Sequence, residues 1–141
     1  MRVARRGDLH VVRLDAGERI VESLRGLARS EGLAGASLAG IGSCRDPELG
    51  YFDAARGAYL FRTFAGDFEI AALLGTIGAQ GEDGSPAVHA HVVLGGPGFE
   101  ALAGHLREAA VAATCEIVLM PLDGPLPRKR EPGSGLNLLD L

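Results

Sequence analysis

His89 and His91 stand two residues apart in the apolar run Val88–Leu94, which reads as a β-strand. Side chains alternate along a strand, so both imidazoles face one side and present two nitrogen donors together. A third histidine would complete the facial three-nitrogen set of catalytic zinc, with a fourth position open to water. His105 is the candidate. It follows Gly104, fourteen residues after His91, far enough along the chain to fold back beside the strand. The fourth histidine, His10, lies outside this group and reads as structural. A plainer reading of the same residues is polar side chains on a strand face or at a subunit contact.

Two carboxylates bear on this group. Glu69 lies between Phe68 and Ile70, and Glu116 lies in the apolar stretch Cys115 to Met120. A carboxylate on a neighbouring strand can accept a hydrogen bond from a ligating imidazole or act as general acid or base. Glu69 is the candidate for the acid–base role. An ion pair with Arg62 would make it an ordinary strand residue instead. From Gly66 to Gly124 there are eight acidic residues and one basic one, Arg107. If those carboxylates cluster, the histidine region is electronegative, which suits a cation and repels a phosphate backbone.

The elements that must position these residues follow from apolar spacing and turn residues. Leu9–Leu14 reads as a first strand, and Asp15-Ala16-Gly17-Glu18 as a turn leading into a helix. Ile20, Leu24, Leu27 and Ala28 recur at helical spacing, and Gly32 stops the helix. Leu33 to Gly42 reads as a buried strand that Gly40-Ile41-Gly42-Ser43 ends in a sharp turn. That turn lacks the further glycine and the βα context of a dinucleotide-binding loop. Leu49–Asp53 and Tyr59–Phe64 form a hairpin, and Phe68 to Ile77 is a long strand. Gln80 to Pro86 is a polar loop. Phe99 to Ala113 has helical periodicity in Phe99, Leu102, Leu106, Ala109 and Ala113. Glu116 to Leu122 is a late strand, and Leu136, Leu138 and Leu139 suggest a docked terminal strand. The sum is an α+β chain, a mostly antiparallel sheet with one main helix.

Composition bounds the rest. The chain has 141 residues, the length of one domain, 1–141. Hydrophobic residues are 47% and charged residues 23%, a globular balance. Glycine is frequent, 21 residues, without a collagen period. The net charge of −4 argues against general nucleic-acid affinity, which needs a concentrated basic surface. Cys44 and Cys115 form no CxxC pattern, so neither a disulfide framework nor a zinc ribbon fits, and both read as buried thiols. No apolar run is long enough to span a membrane and no signal-type stretch follows the basic N-terminus, so the expected compartment is the cytoplasm.

The run Gly66-Asp67-Phe68-Glu69-Ile70, then Leu74-Gly75-Thr76-Ile77, Asp83-Gly84, His89-Ala90-His91-Val92 and Gly104-His105-Leu106 resembles the PPC domain, the plant and prokaryote conserved domain. The likeness extends back through Leu14–Glu18 and Gly40–Ser43, and forward to Glu116–Leu119 and Gly133–Leu136. It covers nearly the whole chain in order. The resemblance implies a curved antiparallel sheet assembled as a homotrimer, with a metal site, zinc, at His89, His91 and His105. It also places a turn carrying His105, then a short strand, where periodicity predicts a helix. The fold is similar to that of acetolactate decarboxylase, a zinc enzyme with three histidine ligands, which bears on fold more than on activity. Two departures stand out. Ala103 replaces the first glycine of a Gly-Gly-His-Leu pattern, and the Arg-Gly-Arg-Pro core of a plant AT-hook is absent. Pro127-Arg128-Lys129-Arg130 is basic but reads as a solvated tail.

Three functions fit the residues. The first is a metal-binding homotrimer with a small-molecule or catalytic role. The second is a DNA-associated regulatory protein, supported by seven arginines against four acids in residues 1–30. The third is an oligomeric interaction module in which the histidines serve packing and hold no metal.

Overall fold

Alternating buried and exposed residues make strands of most of this chain. The computed structural model describes residues 1–80 and 85–141, with Gln80 described by its backbone alone. In chain order the elements are β1 (Arg2–Arg6), β2 (Leu9–Asp15), α1 (Ile20–Glu31), β3 (Ala36–Asp53) and β4 (Ala58–Thr63). They continue with β5 (Asp67–Gln80), β6 (Ser85–Gly95), β7 (Ala101–Pro121), β8 (Pro127–Arg130) and β9 (Asn137–Leu139). β1 has no counterpart among the expected strands. Of the expected loop over Gln80 to Pro86, residues 81–84 lie outside the described residues, and Ser85 and Pro86 belong to β6.

All the strands join one sheet, in the order β1-β2-β7-β3-β5-β8-β9, with β4 on β3 and β6 between β5 and β7. The pairings are antiparallel except β5 with β8. β3 pairs with β5, β5 with β6, β6 with β7 and β7 with β3, a closed circuit of four long strands. Closure pairs both edges of these strands, and it is what brings the ends of β6 and β7 together.

The core lies between α1 and this circuit. Ile20, Leu24 and Leu27 of the helix pack with Leu14, Leu73, Leu94, Ile117 and Leu119, all buried. Gly32 is the helix C-cap, in the left-handed conformation. At the other end Arg19 supplies no side-chain cap. The carboxylate of Glu108, on β7, replaces it by accepting from the Val21 and Glu22 amides at 2.8 and 3.0 Å. Glu18 instead binds the chain's own N-terminus. Among the described residues no helix is long and apolar enough to cross a membrane.

Two expectations are corrected. Phe99 to Ala113 is neither a helix nor a turn with a short strand, because β7 runs unbroken from Ala101 to Pro121 and carries His105 inside it. The helical look has a physical cause. The β3–β7 register shifts between Gly42 and Cys44, between Arg45 and Glu48, and between Glu48 and Leu49. Each bulge breaks the two-residue period, so the buried residues Leu106, Ala109, Val111 and Cys115 stand three, two and four apart, and the steps of three and four are those of a helix face. Gly40 to Ser43 is likewise no turn, since β3 passes straight through it. A Cβ on Gly42 would sit 2.3 Å from the Thr114 carbonyl oxygen. That glycine is there to let two backbones touch at a bulge.

Candidate metal centre

His89 and His91 alternate with the buried core residues Ala90 and Val92 on β6. The two histidines therefore share the face turned away from that side of the strand. β7 runs antiparallel beside it, with His105 directly opposite His91. One nitrogen from each of the three imidazoles lies within 4.8 Å of the others. The ring centroids are 5.2–5.7 Å apart. Small imidazole rotations bring such a set to the ~2.0–2.1 Å that zinc takes from nitrogen. The strand spacing depends on Gly75 of β5, which faces Ala90 between the two histidines. A Cβ there would meet the His89 carbonyl oxygen at 2.2 Å and the Ala90 Cα at 2.7 Å.

The electrostatics also suit a cation ligand set. His105 Nδ1 is buried with no hydrogen-bond partner among the described residues. Buried polar atoms are seldom left so, and an unmodified core would leave it at a cost. Burial, with the neighbouring His89 and His91, pushes the His105 pKa down to about 4. His89 is also lowered, by burial first, then by the charges of Arg128 and His91. Both imidazoles are therefore neutral near pH 7, with lone pairs free to bind a metal. The residues present fit a metal ion. The two cysteines do not join them. Cys44 and Cys115 are buried free thiols pushed up to about 12 and about 11, chiefly by burial.

A cavity of about 320 Å³ opens beside the histidines. His89 and His105 line it together with Tyr59 of β4, Arg25 of α1, and Arg128 and Asn137 of the tail. The Tyr59 ring stands 5.0 Å from that of His105. Arg128 donates from Nη2 to Thr76 Oγ1 at 2.9 Å and from Nη1 to the Asn137 carbonyl at 3.1 Å.

The structure does not bring Glu69 to this site. Glu69 is exposed and opposes Gly95, four residues beyond His91 and so about 13 Å along the strand. No ion pair joins it to Arg62 among the described residues; Arg62 stacks on Phe64 instead. Glu116 is exposed on β7, next to Ile117 and Val118 in a groove that also contains Val11 and Leu74. His10, on β2, is 5% exposed and lies 3.4 Å from Glu31 of α1, away from the other histidines. The expected electronegative setting is also corrected. Asp67 pairs with Arg45 and Glu108 caps the helix, Glu69 and Glu116 are exposed away from the histidines, and among the described residues no acidic residue lines the histidine cavity. Spacing alone had no means of finding Tyr59. Arg128 lay inside a basic run that reads as solvated, and pairing of β8 with β5 is what draws it inward. Ala103 has an ordinary negative φ, so its methyl group is accommodated.

A family model for the Plants and Prokaryotes Conserved (PCC) domain matches residues 1–123. The chain belongs to this family. No curated protein matches it. A crystal structure of a candidate DNA-binding protein from Bacteroides thetaiotaomicron superposes with a TM-score of 0.92 at 28% identity, over 99% of this chain and 96% of that one. A metal-containing protein from Archaeoglobus fulgidus gives 0.87 at 30% identity, over 99% and 96%. Acetolactate decarboxylase from Bacillus subtilis gives 0.58 at 12% identity, over 84% of this chain and 54% of that one, a likeness of fold alone. The PCC fold is thus a scaffold shared by a protein described by its metal and one described by DNA.

Proposed function

We propose that this PCC-domain protein is a zinc-binding homotrimer with a small-molecule or catalytic role, and that His89, His91 and His105 hold the metal. One observation carries the reading: three imidazole nitrogens converge within 4.8 Å, and His105, one of the two half-buried rings, has a buried nitrogen with no partner among the described residues. Three neutral nitrogen donors without thiolate or carboxylate suit zinc, and they leave room for a further ligand. The metal-containing relative from Archaeoglobus supports the same reading. Bound there, zinc would supply a Lewis acid able to polarise a carbonyl. The protein's own part is to fix the imidazoles on paired strands and to shape the cavity beside them.

Self-association is supported by the outer face of the sheet. Ile41 and Leu74 are each 59% exposed, and Val11 and Val118 flank them in one groove. A continuous apolar patch of this kind favours burial against another copy. A cytoplasmic location belongs to the same reading, as the compartment in which both cysteines stay reduced.

The test is elemental analysis of untagged protein beside the His89→Ala/His91→Ala double variant. About one zinc per chain, absent from the variant, is the expected result. Metal-free protein whose trimer dissolves in the variant would favour the packing role instead. A DNA-associated role is the second reading, on the strength of the Bacteroides relative. It has less support here, because Arg2, Arg5 and Arg13 already pair with Asp15 and Glu31. A mobility shift at physiological salt that weakens steeply as salt rises would reinstate it.

A further inference from the structure

Resting on the metal reading above, we propose that the cavity beside the three histidines binds a small organic carboxylate, with the Arg128 guanidinium as its anion-binding group. Both partners of Arg128 are neutral, the Thr76 hydroxyl and the Asn137 carbonyl. Its Nε is buried and has no hydrogen-bond partner among the described residues. Among the described residues no carboxylate lies within ion-pair distance of it, although Arg45 and Arg107 on the surface each have one. A guanidinium partly withdrawn from water without a counter-charge is costly. An anion entering the cavity removes that cost.

The rest of the cavity points the same way. Arg25 of α1 adds a second cation to its wall, and among the described residues none of the lining is acidic. The three imidazoles are neutral ligands, so a divalent metal held by them keeps its full charge and attracts an anion as well. The guanidinium is planar and matches a carboxylate through two parallel N–H bonds. A volume of about 320 Å³ lies at the small end of ligand pockets, which suits a compact acid and excludes a polymer. Arg128 and His89 line the same cavity. One molecule can therefore reach both the guanidinium and the histidine centre.

The experiment is calorimetric titration of zinc-loaded, untagged protein with glycolate and with its neutral isostere glycolamide. Glycolate should bind at least about tenfold more tightly than glycolamide. Arg128→Gln should lower glycolate affinity by about tenfold or more while zinc content stays at the wild-type level, with Arg128→Lys intermediate. If Arg128→Gln does not fold, Arg128→Lys and the wild-type ratio of the two probes decide the matter. Equal binding of glycolate and glycolamide overturns the proposal. So does unchanged glycolate affinity in the folded variants, or inorganic phosphate displacing glycolate at lower concentration. If the wild type holds no metal, the zinc reading fails by itself. The titration is then repeated on metal-free protein, where glycolate binding lost with Arg128 supports the anion site and absence of binding ends it.

Discussion

Strands β5 and β6 have a cavity near each end, and the two differ in what their polar groups already hold. Near one end His89 and His91 oppose Thr76 and Leu74, and His105 joins them from β7. There His105 Nδ1 and Arg128 Nε are buried and unpartnered among the described residues. Near the other end a cavity of about 390 Å³ is lined by Ser43, Asp67, Glu69 and Gly95. Asp67 accepts two bonds from Arg45 at 2.6 and 2.8 Å, Ser43 Oγ accepts from the Ala113 amide at 3.0 Å, and Glu69 is left to water. The acidic end is the one that formal charge would pick for a cation. Its groups are satisfied or solvated, however, and they do not converge. His10 and Thr114 also hold buried atoms unpartnered among the described residues, so it is convergence of such groups, as at the three histidines, that marks a site better than charge count.

The largest effect expected of that contrast is on metal affinity. His105→Ala removes one of three donors and should lower zinc affinity by more than about a hundredfold, beyond what loss of an outer-sphere partner costs. Competition with a chromophoric chelator measures it. Asp67→Asn, at the acidic end, should leave zinc affinity unchanged. Equal losses in both variants would mean that the two ends do not differ as described. Next comes Gly75→Ala, which changes no ligand but sets a methyl group against the His89 carbonyl. Overpacking of this kind costs about 1–3 kcal/mol, and a thermal melt of metal-free protein should show it. Zinc affinity should fall as well, because β6 must shift between its two histidines. A melt shift with unchanged zinc affinity would show that the histidines tolerate movement of the strand.

How much of this was legible in the chain differs between the two ends as well. The HxH pair on a strand needs only the two-residue period, which holds through β6 without interruption past His89 and His91. The place of His105 was harder, because bulges on the β3–β7 ladder give the C-terminal side of that segment helical spacing. Histidine spacing named the third ligand, and periodicity hid the strand that carries it. Glu69 was misjudged for a related reason. Its neighbours in sequence say that it lies on a strand beside β6, but not at which height, and register decides that. Arg128 was invisible because its inward turn depends on the parallel pairing of β8 with β5, a contact between residues about fifty apart.

The pH dependence of metal-free stability separates the two ends by a smaller effect. His105 titrates at about 4 in the folded protein, below its usual 6.5. Between those values the unfolded chain binds more protons than the folded one, so stability rises with pH and is lost on acidification. Asp67 is lowered by its bond to Arg45 from a usual 3.8. Its contribution is present above that value and is lost as pH falls below it. Melts of chelator-treated protein should therefore decline first between about pH 6.5 and 4, a decline that His105→Gln flattens. A second decline at lower pH should be flattened by Asp67→Asn. A single decline that responds to neither variant would dissolve the distinction.

The smallest effect belongs to Glu69, and its smallness is the point. An exposed strand carboxylate with no ion-pair partner among the described residues contributes little to folding, so Glu69→Gln should change stability by no more than about 0.5 kcal/mol. Its distance from His91 along β5 and β6 also predicts unchanged zinc content and unchanged glycolate affinity. If either changes by tenfold, the acidic end communicates with the histidines. The register that separates them would then understate how closely the two cavities are coupled, and Glu69 would return as an acid–base candidate acting from the far end of the same strands.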